Sequence, residues 1–544
     1  MMQRSPAGRG TLRQLHPFRR NMAAYSGDQI GKPEPSPWLI AISVMLATFM
    51  EVLDTAIASV ALPYIAGSLS ASLTEATWVL TSYLVANAVI LPASNWFSMR
   101  FGRKRFLITC VIIFTIASFL CGAAPTLGFM ILARIVQGAG GGALQPLSQA
   151  ILLESFPPRK RGAAMAVFAF GVVVAPILGP TLGGWLTDTY SWRYAFYINI
   201  PIGILAVLMI SRFVHDPPYI KNAKVGRFDN LGFGLLVVWT GCLQIVLDKG
   251  QEDDWFGAIW IRWAFTACVV ALVWFIVHCW RKKKALVNLR VFKDWNFSVG
   301  CGLMLVFGMT VYGMITVLPL YYQELLGYTA FTAGWVVGPR GFGSIVAMPL
   351  IGWLSSRVDA RYLLTFGFLL FGVVALLMGN ASLAIGPTTM LWPIILMGFA
   401  FGYVFVPITT QAYGTLPNEQ MGNASGMFNL LRNVGGSIGI SIVQTLLTRR
   451  ADMHQNQIAA SAPRTQIWFE QTLHRLTHAL GLHLGPANAR LGALNEINGQ
   501  LEQQALHWAF VDIFRWTAFT AFFCIGLVWL FRKVRHGRAP AGAH

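Results

Sequence analysis

From Trp38 to Pro63 the chain reads WLIAISVMLATFMEVLDTAIASVALP, an apolar run that contains two acids, Glu51 and Asp54. About 20 apolar residues, each rising 1.5 Å, cross the hydrocarbon core of a bilayer, so this run is long enough to span one. A carboxylate inside such a helix costs at least about 2.5 kcal/mol on insertion scales and faces a protein interior or a watery cavity, not lipid. Spaced i and i+3, the two acids share roughly one helix face. Two readings follow: an acidic stripe that handles protons, or one protonated carboxyl that joins helices by a hydrogen bond.

The rest of the chain is of the same kind. Of its 544 residues 55% are hydrophobic and 12% charged, against about 25% charged in soluble proteins, and the mean hydropathy is +0.56. This is an all-α polytopic membrane protein. The net charge of +19 does not point to nucleic acid, because Lys and Arg sit in short runs between apolar segments, the pattern of loops that fix membrane topology. The seven cysteines form no CxxC pair, which excludes a disulfide framework or thiolate metal site and leaves small buried hydrophobes. No GxxxxGK[ST] loop occurs, which argues against an ATP-driven pump, and no nucleophile–base pair argues for an enzyme. Neither a cofactor nor a metal is expected.

Fourteen candidate spans begin near Trp38, Ala76, Phe106, Leu127, Gly162, Trp192, Leu231, Ala258, Phe297, Phe331, Tyr362, Thr388, Gly422 and Ala505. With the N-terminus inside, inner segments hold 29 of the 41 Lys and Arg, and outer loops hold 7. Both termini are therefore expected in the cytoplasm. Residues 1–37, basic and rich in Pro, Gly and Ser, read as a disordered tail without a removable signal, and residues 533–544 as a second tail. An internal repeat relates NWFSMRFGRKR (Asn95 to Arg105) to GWLSSRVDAR (Gly352 to Arg361), aligning Trp96 with Trp353 and Arg100 with Arg357. That repeat implies a six-helix bundle over residues 38–215, two inserted helices over 229–281, and a second bundle over 296–532. Within the second bundle, residues 448–504 form a long polar outer loop with stretches that read helical.

Span four carries Arg134, Gln137, Gly141, Gln145 and Gln149 along one face. An intramembrane Arg needs a partner, and Asp54 or Glu51 is the natural one. If that partner takes a proton the pair weakens, which couples a proton to helix movement; a permanent structural ion pair is the alternative. The glycines from Gly138 to Gly142 read as close helix packing. In span five, GVVVAPILGPTLGGWLTD places Pro176 and Pro180 to bend the helix, and Gly179, Gly183 and Gly184 to let a neighbour approach. Other polar residues within spans are candidates to line a substrate site: Asn87, Gln137, Gln145, Tyr312, Gln411, Asn429, Arg432 and Asn433. Arg432 has the strongest claim, as an intramembrane charge; for the rest, helix–helix hydrogen bonds are an equal reading.

Four motifs occur in order: LDTAIASVALP (Leu53 to Pro63), RFGRKR after span two, RIVQG (Arg134 to Gly138) and APILGPTLGG (Ala175 to Gly184). On these the sequence resembles the fourteen-span drug:proton antiporters of the major facilitator superfamily, nearly throughout, from Trp38 to Arg532. The resemblance implies the major facilitator fold, with two six-helix bundles plus two extra helices, in a cell inner membrane. It implies antiport of protons against hydrophobic toxic compounds such as uncouplers, weak acids or cationic drugs, driven by the proton gradient. The resemblance extends to the large outer loop, and with it implies a tripartite pump with a periplasmic membrane-fusion adaptor and an outer-membrane channel of the TolC type. A narrow exporter of one metabolite, such as a siderophore or organic acid, is the rival reading. The family's conformational loop is represented by Arg100, Gly102, Arg103 and Lys104, but Asn95 stands where the family has Gly and Met99 where it has Asp. The resemblance assigns that Asp to a charge pair that shuts the cytoplasmic side, so here the pair is lost or uses another acid.

Overall fold

The computed structural model describes residues 36–533 apart from 158–159, 218–219, 221–225, 283–284, 329, 356, 382–385 and 462–466. Both expected tails, residues 1–37 and 533–544, lie almost wholly outside the described residues. Within them the chain is helical and no strand occurs. Twelve helices are long and apolar enough to cross a membrane, which makes this a multi-pass membrane protein. The other two expected spans are present as helices that fall short of that measure. One, near Ala76, is Trp78–Phe101, which carries Asn87, Asn95 and several hydroxyls. The other, near Phe331, is broken in two at Gly338 and Pro339, where proline supplies no amide hydrogen to continue the ladder.

We number the main helices α1 (Pro37–Ser68), α2 (Trp78–Phe101), α3 (Arg103–Gly122), α4 (Leu127–Gly141), α5 (Leu144–Ser155), α6 (Arg161–Thr189) and α7 (Asn199–Phe213). After them come α8 (Asn230–Lys249), α9 (Ile259–Arg281), α10 (Trp295–Leu320), α11 (Ala330–Val337), α12 (Arg340–Leu354), α13 (Ala360–Met378) and α14 (Leu391–Tyr413). The chain ends with α15 (Met421–Ser461), α16 (Ile467–Leu484) and α17 (Pro486–Val528). Helix starts follow local chemistry: Asp229, Asp294 and Asp359 each cap a first turn by accepting a backbone N–H, from Gly232, Phe297 and Arg361.

Helices α1–α7 pack on one another, and α10–α15 with α17 form a second group. The groups meet at two seams, α6 against α12 and α2 against α15. The inserted pair does not stand aside from them: α8 packs on α9 and also lies on both α2 and α15, across the second seam. There the Ser437 hydroxyl donates to Gln244 at 2.8 Å.

The outer segment differs from the expected loop. Helix α15 runs 41 residues and α17 runs 43, about twice the number needed for one crossing. Residues 448–504 are thus mainly extensions of these two helices with α16 packed on α17, and the last helix starts at Pro486 instead of near Ala505. The cysteines match their reading: all seven are free and six are buried.

At the foot of α8 and α9, buried Asp229 binds Lys282 Nζ at 2.8 Å, His278 Nε2 at 3.0 Å and the Leu286 amide at 3.2 Å. Burial pushes its carboxyl up, but these donors and the Gly232 amide outweigh that and hold it down at about 2. A depressed carboxyl stabilises the fold above its unfolded value and loses that contribution as pH falls toward 2. Asp229→Asn is therefore expected to lower the melting temperature of the purified protein at pH 7, by about 1–3 kcal/mol in stability terms, and the gap to wild type is expected to close between pH 4 and pH 2.

Candidate functional site: a buried ion pair beside a central cavity

The two acids of α1 enter separate clusters. Asp54 is 1% exposed and Arg134 fully buried. Arg134 Nη1 donates to Asp54 Oδ2 at 2.6 Å. Asp54 Oδ1 accepts from Gln137 Nε2 at 2.8 Å and from Asn199 Nδ2 at 2.7 Å. The guanidinium has other support: Nε donates to the Val79 carbonyl at 3.0 Å, Nη1 also to Gln137 Oε1 at 2.7 Å, and the group lies 4.2 Å from the centre of the Tyr83 ring. If Asp54 were neutral, Arg134 would keep these partners. Of the two acids the sequence offered Arg134, the structure selects Asp54.

Glu51 belongs to the second cluster. Its Oε1 accepts from Asn87 Nδ2 at 2.9 Å, while Oε2 is buried near the Gln145 side chain with no hydrogen bond of its own among the described residues. Next to it, Gln145 Oε1 accepts from Arg432 Nη2, a bond from the first helix group to the second. One turn further along, Gln149 Oε1 accepts from Asn429 Nδ2 at 2.7 Å and from Tyr413 at 3.1 Å. The polar face of span four is thus divided: Arg134 and Gln137 serve Asp54, while Gln145 and Gln149 join the two groups. The α4–α5 break at residues 142–143 lies between these pairs.

A central cavity of about 80 Å³ lies between the groups. Among the expected substrate residues, Tyr312 and Arg432 line it. Asn87, Gln137, Gln145 and Asn429 are instead engaged in the polar clusters just described. Gln411 and Asn433 are half-buried away from the cavity lining, the Gln411 Oε1 without a partner among the described residues. The sequence reading missed Asn199, Ser118 and Arg340 here. Ser118 Oγ accepts from both Gln137 and Asn199, and Arg340 lines the cavity. A lone amide, and an arginine inside an apolar span, were the available signals.

The loop expected to act in conformational change is bonded to acids of its own helix group. Gly102 has φ +89°, a backbone that glycine alone adopts easily. Arg103 Nη1 pairs with Glu154 at 2.8 Å. The Lys104 amide donates to Asp216 at 2.8 Å, and its Nζ to the Ser211 carbonyl at 2.5 Å. Both acids belong to the first helix group, so neither bond crosses to the second, and Met99 and Arg100 are half-buried and exposed respectively. Asn95 lies against Gly422 of α15. On the repeat-related loop, Arg357 stacks 4.0 Å over Trp353, whereas Trp96 packs on Phe97 and Phe228.

The glycines separate into two sets. A Cβ on Gly138 or Gly142 would meet the Tyr83 or Asn87 carbonyl oxygen at 2.4 Å, and one on Gly179 would meet Ala56 at 2.4 Å. Gly183 lies more loosely against Ile57. Gly184 corrects the sequence reading: nothing lies within 4 Å of the added atom, so no helix approaches there. The span-five glycines that are close-packed face α1 of the same group; at the seam it is Gly162 that meets Ser355 and Gly352 of α12. Helix α6 runs unbroken through Pro176, on the cavity wall, and Pro180.

Residues 44–440 match the sequence profile of the Major Facilitator Superfamily. The chain belongs to that family. It is 37% identical over 511 residues to the "Multidrug export protein EmrB" of Escherichia coli (strain K12), covering 93% of this chain and 97% of the relative. Identity is also 37%, over 513 residues and the same shares, to the "Fatty acid resistance protein FarB" of Neisseria gonorrhoeae. Among solved structures, the human organic anion transporter MFSD10 superposes with a TM-score of 0.57 at 13% identity, over 90% of this chain and all of the other. That likeness concerns the fold. Membership of the major facilitator superfamily indicates a transporter rather than an enzyme.

Close packing around this site gives a paired test. Gly142→Val drives side-chain atoms into the Asn87 backbone and is expected to destabilise the purified protein by about 1–3 kcal/mol, read as a lower melting temperature. Gly184→Ala meets open space and is expected to melt within about 0.5 kcal/mol of wild type.

Proposed function

We propose that the protein is a proton-coupled exporter of hydrophobic toxic compounds that works by alternating access of its two helix groups. The observation that carries this reading is the buried Asp54–Arg134 pair, an ionisable couple at membrane depth with further hydrogen-bond partners on both members. Such residues in spans mark ion and proton pathways far more often than they add stability. In the proposed cycle Asp54 is ionised and paired in one state and protonated in the other. Arg134, held by Val79 and Gln137, stays in place while its charge partner changes. Glu51 assists from the adjoining cluster, where Gln145 and Arg432 carry the change to the second group. One proton moving down 100 mV supplies about 2.3 kcal/mol, enough for roughly a fifty-fold substrate gradient.

The compound class rests on the apolar cavity wall and on the names of the relatives at 37% identity, one a multidrug exporter and one a fatty acid resistance protein. At about 80 Å³ the cavity is below the roughly 300 Å³ of a drug-sized site, so binding requires the groups to part. We read α2 and the α11–α12 pair as the remaining two of fourteen spans, in an inner membrane with both termini cytoplasmic. The long extensions of α15 and α17, with α16, are then the surface that meets a periplasmic adaptor leading to a TolC-type outer channel.

Transport into proteoliposomes under an imposed pH gradient tests the coupling. Wild type is expected to move a hydrophobic fluorescent compound only with the gradient present, and Asp54→Asn to lose at least about 90% of that rate. Equal gradient-driven rates in both proteins would contradict the assignment.

A further inference from the structure

The central cavity has walls of carbon, with Met304, Phe307, Phe371, Met397 and Phe401 among them. Two guanidiniums interrupt those walls: Arg340, at the first residue of α12, and Arg432, within α15. Both are buried, at 9% and 3% exposure. Neither has a carboxylate partner among the described residues, in contrast to Arg134 with Asp54 and Arg103 with Glu154. Arg432 uses Nη2 on the neutral Gln145, and its Nε and Nη1 are buried with no acceptor among the described residues. No hydrogen bond or ion pair from the Arg340 side chain occurs among the described residues. The nearby acid is Glu51, whose charge acts on Arg432 but whose bonded partner is Asn87.

A guanidinium does not lose its proton in proteins. Both guanidiniums therefore stay positive, and the low-dielectric surroundings strengthen their field. Arg340 has no counter-charge among the described residues and Arg432 has only the unbonded Glu51 near it, so both are costly to keep, and an anion entering the cavity they line would offset that cost. Guanidinium donors match the spacing of two carboxylate oxygens, and the surrounding methionine and phenylalanine side chains accept hydrocarbon.

We propose that Arg340 and Arg432 form an anion subsite that holds the acidic head of an amphiphilic organic acid, with the apolar walls taking its tail. This rests on the export reading and narrows it: the preferred cargo is a lipophilic anion, and a lipophilic cation is disfavoured. The cavity in its present form has room for the head group, and the tail is accommodated as the helix groups separate.

The test compares three probes with the same ten-carbon chain: decanoate, decanol and decyltrimethylammonium. Binding to the full-length protein in nanodiscs is read by intrinsic tryptophan fluorescence at neutral pH. Decanoate is expected to bind at least tenfold more tightly than either of the others. Arg340→Gln is expected to weaken decanoate at least tenfold and leave decanol unchanged, with Arg340→Lys recovering part of the loss. Arg432→Gln serves as the second variant should Arg340→Gln fail to fold, and its elution and melting temperature are checked alongside. Equal affinities for the three probes in wild type, or an unchanged preference in a folded arginine variant, would overturn the subsite. Gradient-driven export of the same probes from proteoliposomes separates the two levels. Movement of decanol or the cation without a preference for decanoate overturns the subsite and leaves export standing. If wild-type vesicles move none of the three while decanoate still binds selectively, the export reading falls and the subsite stands as a binding site.

Discussion

The interaction on which the site depends is the contact between Asp54 and Arg134 inside the hydrocarbon layer. Bringing either charge there alone is costly, and the pair is tolerable because each member is also hydrogen-bonded. Asp54 needs Gln137 and Asn199; Arg134 needs Val79, Gln137 and the face of Tyr83. Those partners come from α2, α4 and α7, so the electrostatic requirement of one carboxylate fixes how four helices of the first group sit. Glycines make that arrangement sterically available. Gly138 and Gly142 let α4 lie directly on the α2 backbone, and any larger residue would hold Arg134 away from its acid.

From this centre the polar face continues along span four to the seam between groups. Gln145 and Gln149 bond to Arg432, Asn429 and Tyr413 of the second group. In the proposed cycle a change of charge at Asp54 has a short physical route, from α4 across the break to α5, to the contacts that hold the groups together. At the end marked by basic loops, the Arg103–Glu154 pair and the Lys104–Asp216 bond tie the α2–α3 loop to its own group. Arg161 bonds to Asn418 across the groups at the same end.

Much of this was legible in the sequence because membranes impose simple rules. Apolar length gave the helices, the distribution of Lys and Arg gave an expected orientation, and the cost of intramembrane charge singled out Glu51, Asp54, Arg134 and Arg432. Pairing was less legible. Two acids three residues apart are equivalent on a helical wheel, and only the approach of α4 and α7 assigns Arg134 and Asn199 to Asp54. Gly184 shows the same limit, since a glycine pattern marks a face but not which of its members meets a neighbour. Arg340 was overlooked although it lies well inside the span expected from Phe331 and carried the same signal as Arg432; the break at Gly338 and Pro339 makes it the first residue of α12, on the cavity lining. The outer segment was read as a polar loop with helical stretches; what polarity concealed is that these stretches continue the spanning helices α15 and α17 beyond the bilayer.

The most direct measurement of the central claim is proton release on substrate binding. Purified protein in weakly buffered detergent, with a pH indicator, is given a pre-neutralised compound that wild-type vesicles export. Wild type is predicted to release protons in proportion to bound substrate, and Asp54→Asn to bind the compound with little or no release. The same release from Asp54→Asn as from wild type would contradict the claim that Asp54 carries the exchanged proton.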